Sequence, residues 1–171
     1  MVISLRYFLL TGVVILLLTG CKKSDSPAPA PSSYMRFKLN GVQVTCDNNF
    51  YATPKSTTTA DANISFNARW GNKSLDMKLF TYLTNDIAPG SYTFATLKQY
   101  GAEIYPDGSP GPVYVAGSPN APAAVITGSG QITITEINAQ YLKGTFDFVT
   151  GANINTGLTM TVTNGEFYMR R

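Results

Sequence analysis

YMRFKLNGVQVTC, Tyr34 to Cys46, decides the fold. Apolar and polar residues alternate on both sides of Asn40-Gly41, which is the period of a strand with one buried face. A two-residue Asn-Gly loop between such runs predicts a type I′ turn, because both central positions need positive φ. The register follows by counting: Leu39 faces Val42, Phe37 faces Val44 and Met35 faces Cys46, all on one side. Cys46 is thereby expected in the core, as an inert small hydrophobe.

The same grammar continues along the chain. ANISFNARW, Gly71-Asn72 and KSLDMKLFTYL predict a second hairpin that pairs Ala68 with Leu75, Phe66 with Met77 and Ile64 with Leu79. Its other face carries Asn67 opposite Asp76 and Ser65 opposite Lys78, then Phe80 and Tyr82. Two aromatic rings on a nominally wet face need a cover or a partner. After Ala88-Pro89-Gly90 come SYTFATL, then a hairpin of YGAEIYP and PVYVAG around DGSPG, and the strands AVITGSGQITITEI and YLKGTFDFVTG. Ile132, Ile134, Phe146 and Phe148 point inward, and Gly128 and Gly130 predict a bulge or bend. GLTMTVT, Asn164-Gly165 and EFYMRR read as a third tight hairpin, pairing Val162 with Phe167 and Met160 with Met169, with Thr159, Thr161, Thr163 and Tyr168 outside. No window after residue 33 sustains helical apolar spacing. The expectation is all-β: a single antiparallel β-sandwich or flattened meander barrel of about nine or ten strands.

The first 20 residues have a different design. A basic start with Arg6 precedes the apolar run Tyr7 to Leu18 and small residues, the layout of a secretory signal peptide. The run is short of the about 20 apolar residues a membrane-spanning helix needs. Leu18-Thr19-Gly20-Cys21 resembles the lipobox of bacterial lipoproteins, which implies cleavage before Cys21 and lipidation of its sulfur and new amino terminus. Several acyl chains at about 0.8 kcal/mol per buried CH₂ give lasting anchorage. Residues 22–33, KKSDSPAPAPSS, then read as a Pro-rich tether with polyproline II character. The expected organisation is a signal peptide over 1–20, lipidated Cys21 and tether over 21–33, and one all-β domain over 34–171. Lys22 after the cysteine favours the outer membrane by lipoprotein sorting logic. Exposure at the cell surface or in the periplasm stays open.

Composition narrows the chemistry. The chain has 13 Lys+Arg against 10 Asp+Glu, and loss of Arg6 takes the surplus from +3 to +2. So mild a charge, without basic runs, leaves no nucleic-acid footprint. With 2 Cys, one of them Cys21, no disulfide framework forms, and His 0 removes Ser-His-Asp and Cys-His catalysis together with the commonest zinc ligand. No cofactor is implied, and no Asp-x-Asp-x-Asp-Gly loop gathers calcium ligands.

RFKLNG, PGSYTF, GSGQITIT, GTFDF and TNGEF occur in that order across the domain. This succession resembles small Bacteroidetes outer-membrane lipoproteins built on an all-β domain of unknown function. The resemblance implies an envelope location and the all-β fold, and it carries over no activity and no functional residue.

Three functions compete. A binding module would capture a glycan or other envelope ligand on aromatic faces, with Trp70, Tyr100, Tyr105, Tyr114 and Asp107 as candidate residues and Glu103 nearby, because sugar C–H groups stack on rings while hydroxyls seek carboxylates and amides. A structural subunit would instead use Phe80 and Tyr82 as a protein interface in the cell envelope. An enzyme would need two carboxylates about 5 to 10 Å apart, and the sequence alone brings no two of Asp76, Glu103 and Asp147 together. The expectation is a non-catalytic accessory module held to the membrane by its lipid.

Overall fold

A computed structural model describes residues 32–46, 62–81, 87–94, 99–108, 111–117 and 127–170. The signal peptide, Cys21, nearly all of the tether and Tyr82 lie outside those residues. Ten strands are described: β1 (Tyr34–Leu39), β2 (Val42–Cys46), β3 (Ala62–Trp70), β4 (Lys73–Thr81), β5 (Gly90–Thr93), β6 (Gln99–Tyr105), β7 (Tyr114–Gly117), β8 (Ser129–Ile137), β9 (Tyr141–Val149) and β10 (Thr161–Arg170). They form two antiparallel sheets, β2-β1-β10-β9-β8-β5 and β3-β4-β6-β7. Among the described residues the sheets meet through one isolated bridge, Gly117 with Thr127, and do not close into a barrel, so the fold is a sandwich and the barrel alternative falls.

The first hairpin has the counted register, Met35↔Cys46, Phe37↔Val44 and Leu39↔Val42. Asn40 and Gly41 both take positive φ, 49° and 83°, as a type I′ turn requires. The second hairpin also pairs as counted, Ile64↔Leu79, Phe66↔Met77 and Ala68↔Leu75. The alternating apolar residues of both sheets meet between them. Phe66 of β3 lies 4.8 Å from Phe167 of β10, ring to ring, and Phe37 of β1 packs perpendicular to Trp70 of β3 at 5.4 Å. Such pairs add about 0.5–1.5 kcal/mol beyond burial of their area. On the far side Tyr92 of β5 meets Tyr100 of β6 edge to face at 5.4 Å. The Tyr92 hydroxyl donates to the Ala88 carbonyl at 2.6 Å and accepts from the Ala88 N–H at 2.9 Å, which clamps the turn leading into β5.

The third hairpin does not form. Thr161 to Arg170 run as one strand, paired on one side with β1 and on the other with β9, and the register slips between Val162 and Gly165. Asn164, at φ 53°, is the left-handed residue of a β-bulge rather than half of a turn. A turn would have left β1 or β9 without its neighbour; a bulge keeps both ladders and still brings Val162, Gly165, Phe167 and Met169 inward. Residues 157–160, assigned to that hairpin's first strand, belong instead to a connecting loop organised by Asn153. Its side-chain oxygen accepts from the Asn155 and Thr156 N–H groups at 2.9 and 3.1 Å, and its Nδ2 donates to the Val113 carbonyl at 2.8 Å.

Candidate functional site at one end of the sandwich

Three turns converge at one end. The β1–β2 turn is held by Asn40, whose N–H donates to the Thr161 carbonyl while its Oδ1 accepts from the Thr161 N–H, both at 2.8 Å. The β3–β4 turn reaches the turn after β6, where Asn72 Nδ2 donates to the Asp107 carbonyl at 3.3 Å. Gly108 allows that contact: a Cβ on it would lie 2.7 Å from the Asn72 carbonyl oxygen. Between the three turns is a cleft of about 620 Å³, within the range of small-ligand pockets.

Its walls are mixed. Leu39, Val42, Trp70, Pro106 and Met160 give apolar surface, while Asn40, Gln43, Lys73 and Asp107 give polar groups. The Gln43 Nε2 is engaged with the Phe37 and Val44 carbonyls at 3.1 Å, which fixes the amide and leaves its oxygen for a ligand hydroxyl. Trp70 shares the face of Ala68 and Phe66. It is half-buried, with one part of the indole on Phe37 and another along the cleft. An apolar wall beside an amide, an ammonium and a carboxylate suits a ligand with an apolar face and several hydroxyls.

The sequence candidates divide. Trp70 and Asp107 both line this cleft. Tyr100 and Tyr114 are each 3% exposed, so their rings offer no stacking face to a ligand. Both share the inward parity of Ala102, Ile104 and Ala116, and the Tyr114 hydroxyl is 3.2 Å from that of Thr156. Tyr105 lies on the outer face of the four-stranded sheet, and its hydroxyl donates to Glu103 Oε2 at 3.1 Å. Desolvation, then the Glu103 charge, push its pKa up to about 12. Phe80 is half-buried on that same face, with Lys78 Nζ 5.8 Å from its ring centroid.

Pairing also brings together two carboxylates that the sequence left apart. Asp76 stands directly opposite Glu103, and Asn67 Nδ2 donates to Asp76 Oδ1. Burial raises the Asp76 pKa above the usual aspartate value, and the Glu103 charge adds to this against the opposing effects of Asn67 and Arg69. Among the described residues no group of three or more His, Cys, Asp or Glu side chains could hold a metal ion.

Sequence reasoning missed Gln43, Lys73, Val42 and Met160 as lining residues. Each lies next to a turn or in a loop, and the shared signal is the ending of three hairpins at one level, which strand lengths alone do not give. It also missed a row of tyrosines on the outer face of the six-stranded sheet. Tyr34, Tyr168 and Tyr141 stand on β1, β10 and β9, with centroids 6.1 Å apart for the first pair and 5.1 Å for the second.

No curated protein and no solved structure matches the chain. Residues 40–169 match the family described as Domain of unknown function (DUF6252), and the chain belongs to that family.

Proposed function

We propose that the protein is a lipoprotein of the bacterial cell envelope, held to the outer membrane through Cys21, whose β-sandwich is a non-catalytic accessory module that captures a glycan in the end cleft. The basic start, short apolar run and Leu18–Cys21 junction support the anchorage, and the ordered strand signatures support a Bacteroidetes lipoprotein origin. The observation that carries the ligand reading is the cleft itself, which sets the Trp70 indole beside Asp107, Lys73 and the fixed Gln43 amide. A sugar ring would lie with its C–H face on the indole and its hydroxyls on those polar groups.

Affinity electrophoresis tests it, in gels cast with a β-glucan, a xylan, a galactomannan or solubilised peptidoglycan. Asp107→Asn and Lys73→Ala lie at the cleft rim, away from the core, and are expected to reduce retardation by the parent's preferred polymer at unchanged melting temperature. Retardation equal to the parent's for both variants rejects the cleft as the site. Intact-mass spectrometry of protein from its native host tests the anchor: the expected mass begins at an acylated Cys21.

A second reading, a protein-interaction subunit of the envelope, draws on the apolar residues exposed at this end. Val42 is 69% exposed, Leu158 60% and Ile154 97%. Crosslinking in whole cells that traps one dominant protein through this end would favour it over glycan capture.

A further inference from the structure

We propose that the tyrosine row of Tyr34, Tyr168 and Tyr141 docks on the lipid headgroups of the bilayer to which the chain is tethered, so that the domain rests on the membrane by this end with its cleft pointing away. The inference rests on the anchorage through Cys21 and adds an orientation to it.

The position of the row is the first ground. Residues 1–31 precede the described domain and join it at Ser32, two residues before Tyr34. Ser33 is tied there, its Oγ accepting from the Arg170 N–H at 2.9 Å. Tyr34 pairs with Tyr168, and Arg170 with Tyr141, so the row spans three adjacent strands at the point where the tether attaches. From Cys21 to Tyr34 is 13 positions (34 − 21), a reach of at most about 40 Å in polyproline II, and the row lies where that span enters the domain.

The chemistry of the row is the second ground. The rings face one another at 16° and 29° between planes. Arg36 covers Tyr34 at 5.6 Å from the centroid, and Lys143 covers Tyr141 at 5.8 Å. Ring faces used in this way are not offered to a sugar, and the Tyr141 hydroxyl is itself donated to Glu136 Oε1, so a partner meets chiefly ring edges. Tyrosine rings presented edge-on beside basic side chains are what the headgroup level of a bilayer accommodates, with the aromatic body toward the acyl chains and the polar tip in water. Arg36 is paired with Glu166 and Lys143 with Glu136, so the charge of the patch is largely balanced and the exposed Arg170 adds one cation. Docking is therefore expected on zwitterionic lipid and to persist in salt.

The test uses the full lipidated chain in phosphatidylcholine vesicles with bromines on the upper acyl carbons. The parent's sole tryptophan, Trp70, lies in the cleft at the opposite end. Tyr168→Trp puts a second one in the row, and Val42→Trp puts one at the exposed far end. Flotation with the vesicles checks the anchor first, and a chain that stays behind refutes the anchorage and the docking together. In a chain that floats, docking predicts about twofold more bromine quenching for Tyr168→Trp than for Val42→Trp, because a docked face lies about 5–10 Å into the headgroup boundary. Equal quenching in the two variants, or loss of the difference on dilution of the protein in the vesicles, refutes docking while leaving the anchor standing; the second result would assign the row to contact between copies.

Discussion

Replacing Gly165 by alanine separates a bulge from a turn in β10. The left-handed residue of the pair is Asn164, and Gly165 is outside the left-handed region, so alanine meets no backbone penalty there. On chain entropy alone Gly→Ala at such a site stabilises by about 0.4–1 kcal/mol. The structure reverses the sign. A Cβ on Gly165 would lie 2.5 Å from the Phe146 carbonyl oxygen and 2.6 Å from both Cδ2 and Cε2 of its ring. The carbonyl belongs to the β9 ladder and the ring is packed on Phe37 and Phe167, so neither gives way freely. Overpacking of this kind costs about 1–3 kcal/mol, or roughly 3–15 °C of melting temperature for a domain of this size. Urea unfolding of parent, Gly165→Ala, Phe146→Leu and the double variant gives the cycle. Part of the strain is against the ring, so Gly165→Ala should cost about 0.5–1 kcal/mol less in the Phe146→Leu background. A neutral or stabilising Gly165→Ala, or strictly additive costs, would refute the bulge geometry; a hairpin turn would give a penalty independent of Phe146.

Three further outcomes follow from the packing. Asp76 has a folded pKa above its ordinary 3.8, so on raising the pH the unfolded chain releases this proton first and stability falls through the interval between the two values. Asp76→Asn keeps an acceptor for Asn67 and removes the like charge opposite Glu103; it should stabilise by roughly 0.2–1 kcal/mol at neutral pH, with the gain vanishing below the ordinary aspartate pKa, as followed by melting temperature against pH. Asn153→Ala strands the Asn155 and Thr156 N–H groups and the Val113 carbonyl, and should cost about 2 kcal/mol in denaturant unfolding, with faster amide exchange confined to residues 151–160. Phe167→Ala empties the centre of the intersheet core beside Phe66 and should cost about 3–5 kcal/mol by the same measurement.

How far the fold was legible depends on whether a feature was local. Two hairpins could be counted to the residue because a two-residue turn leaves one register and every inward position agrees with it. At Asn164-Gly165 the counting was ambiguous. A two-residue turn and a one-residue bulge both reverse the parity of inward residues, so Val162, Phe167 and Met169 fit either. Pairing decides between them: β10 runs as one strand against both β9 and, more than 120 positions away, β1. The same reversal between Ile134 and Ile137 marks a second irregularity, in β8 against β9. For the site, alternation already held part of the answer: Tyr100 shares parity with Ala102 and Ile104, which is an inward signal, while Tyr105 shares it with Glu103. Trp70 and Asp107 were visible as turn residues. Their convergence with Gln43 and Met160 was not, since it depends on how two sheets stack.

Strand direction divides the proposed tasks between the ends of the molecule. β1 begins at the tether with Tyr34 and ends at Leu39 beside the cleft, about 17 Å away at 3.3 Å per residue. β10 runs the other way, from Thr161, next to the cleft residue Met160, to Tyr168 and Arg170 at the tether, so the first and last strands of the domain span both ends together. Apart from Tyr34, the large apolar residues exposed among those described are Val42, Val149, Ile154 and Leu158, each beside a turn or loop at the cleft end. The tether end instead exposes tyrosine edges between ion pairs. A domain that only filled space would have no reason to keep the two ends so unlike. If the tether end rests on lipid, the apolar cleft end is the part held out toward whatever the protein captures, and substitutions at the two ends should separate: those in the tyrosine row changing orientation on vesicles without changing ligand retardation, and those at Lys73 or Asp107 doing the reverse. A row variant that abolished retardation at unchanged stability would show that the two ends act as one site and would overturn this division.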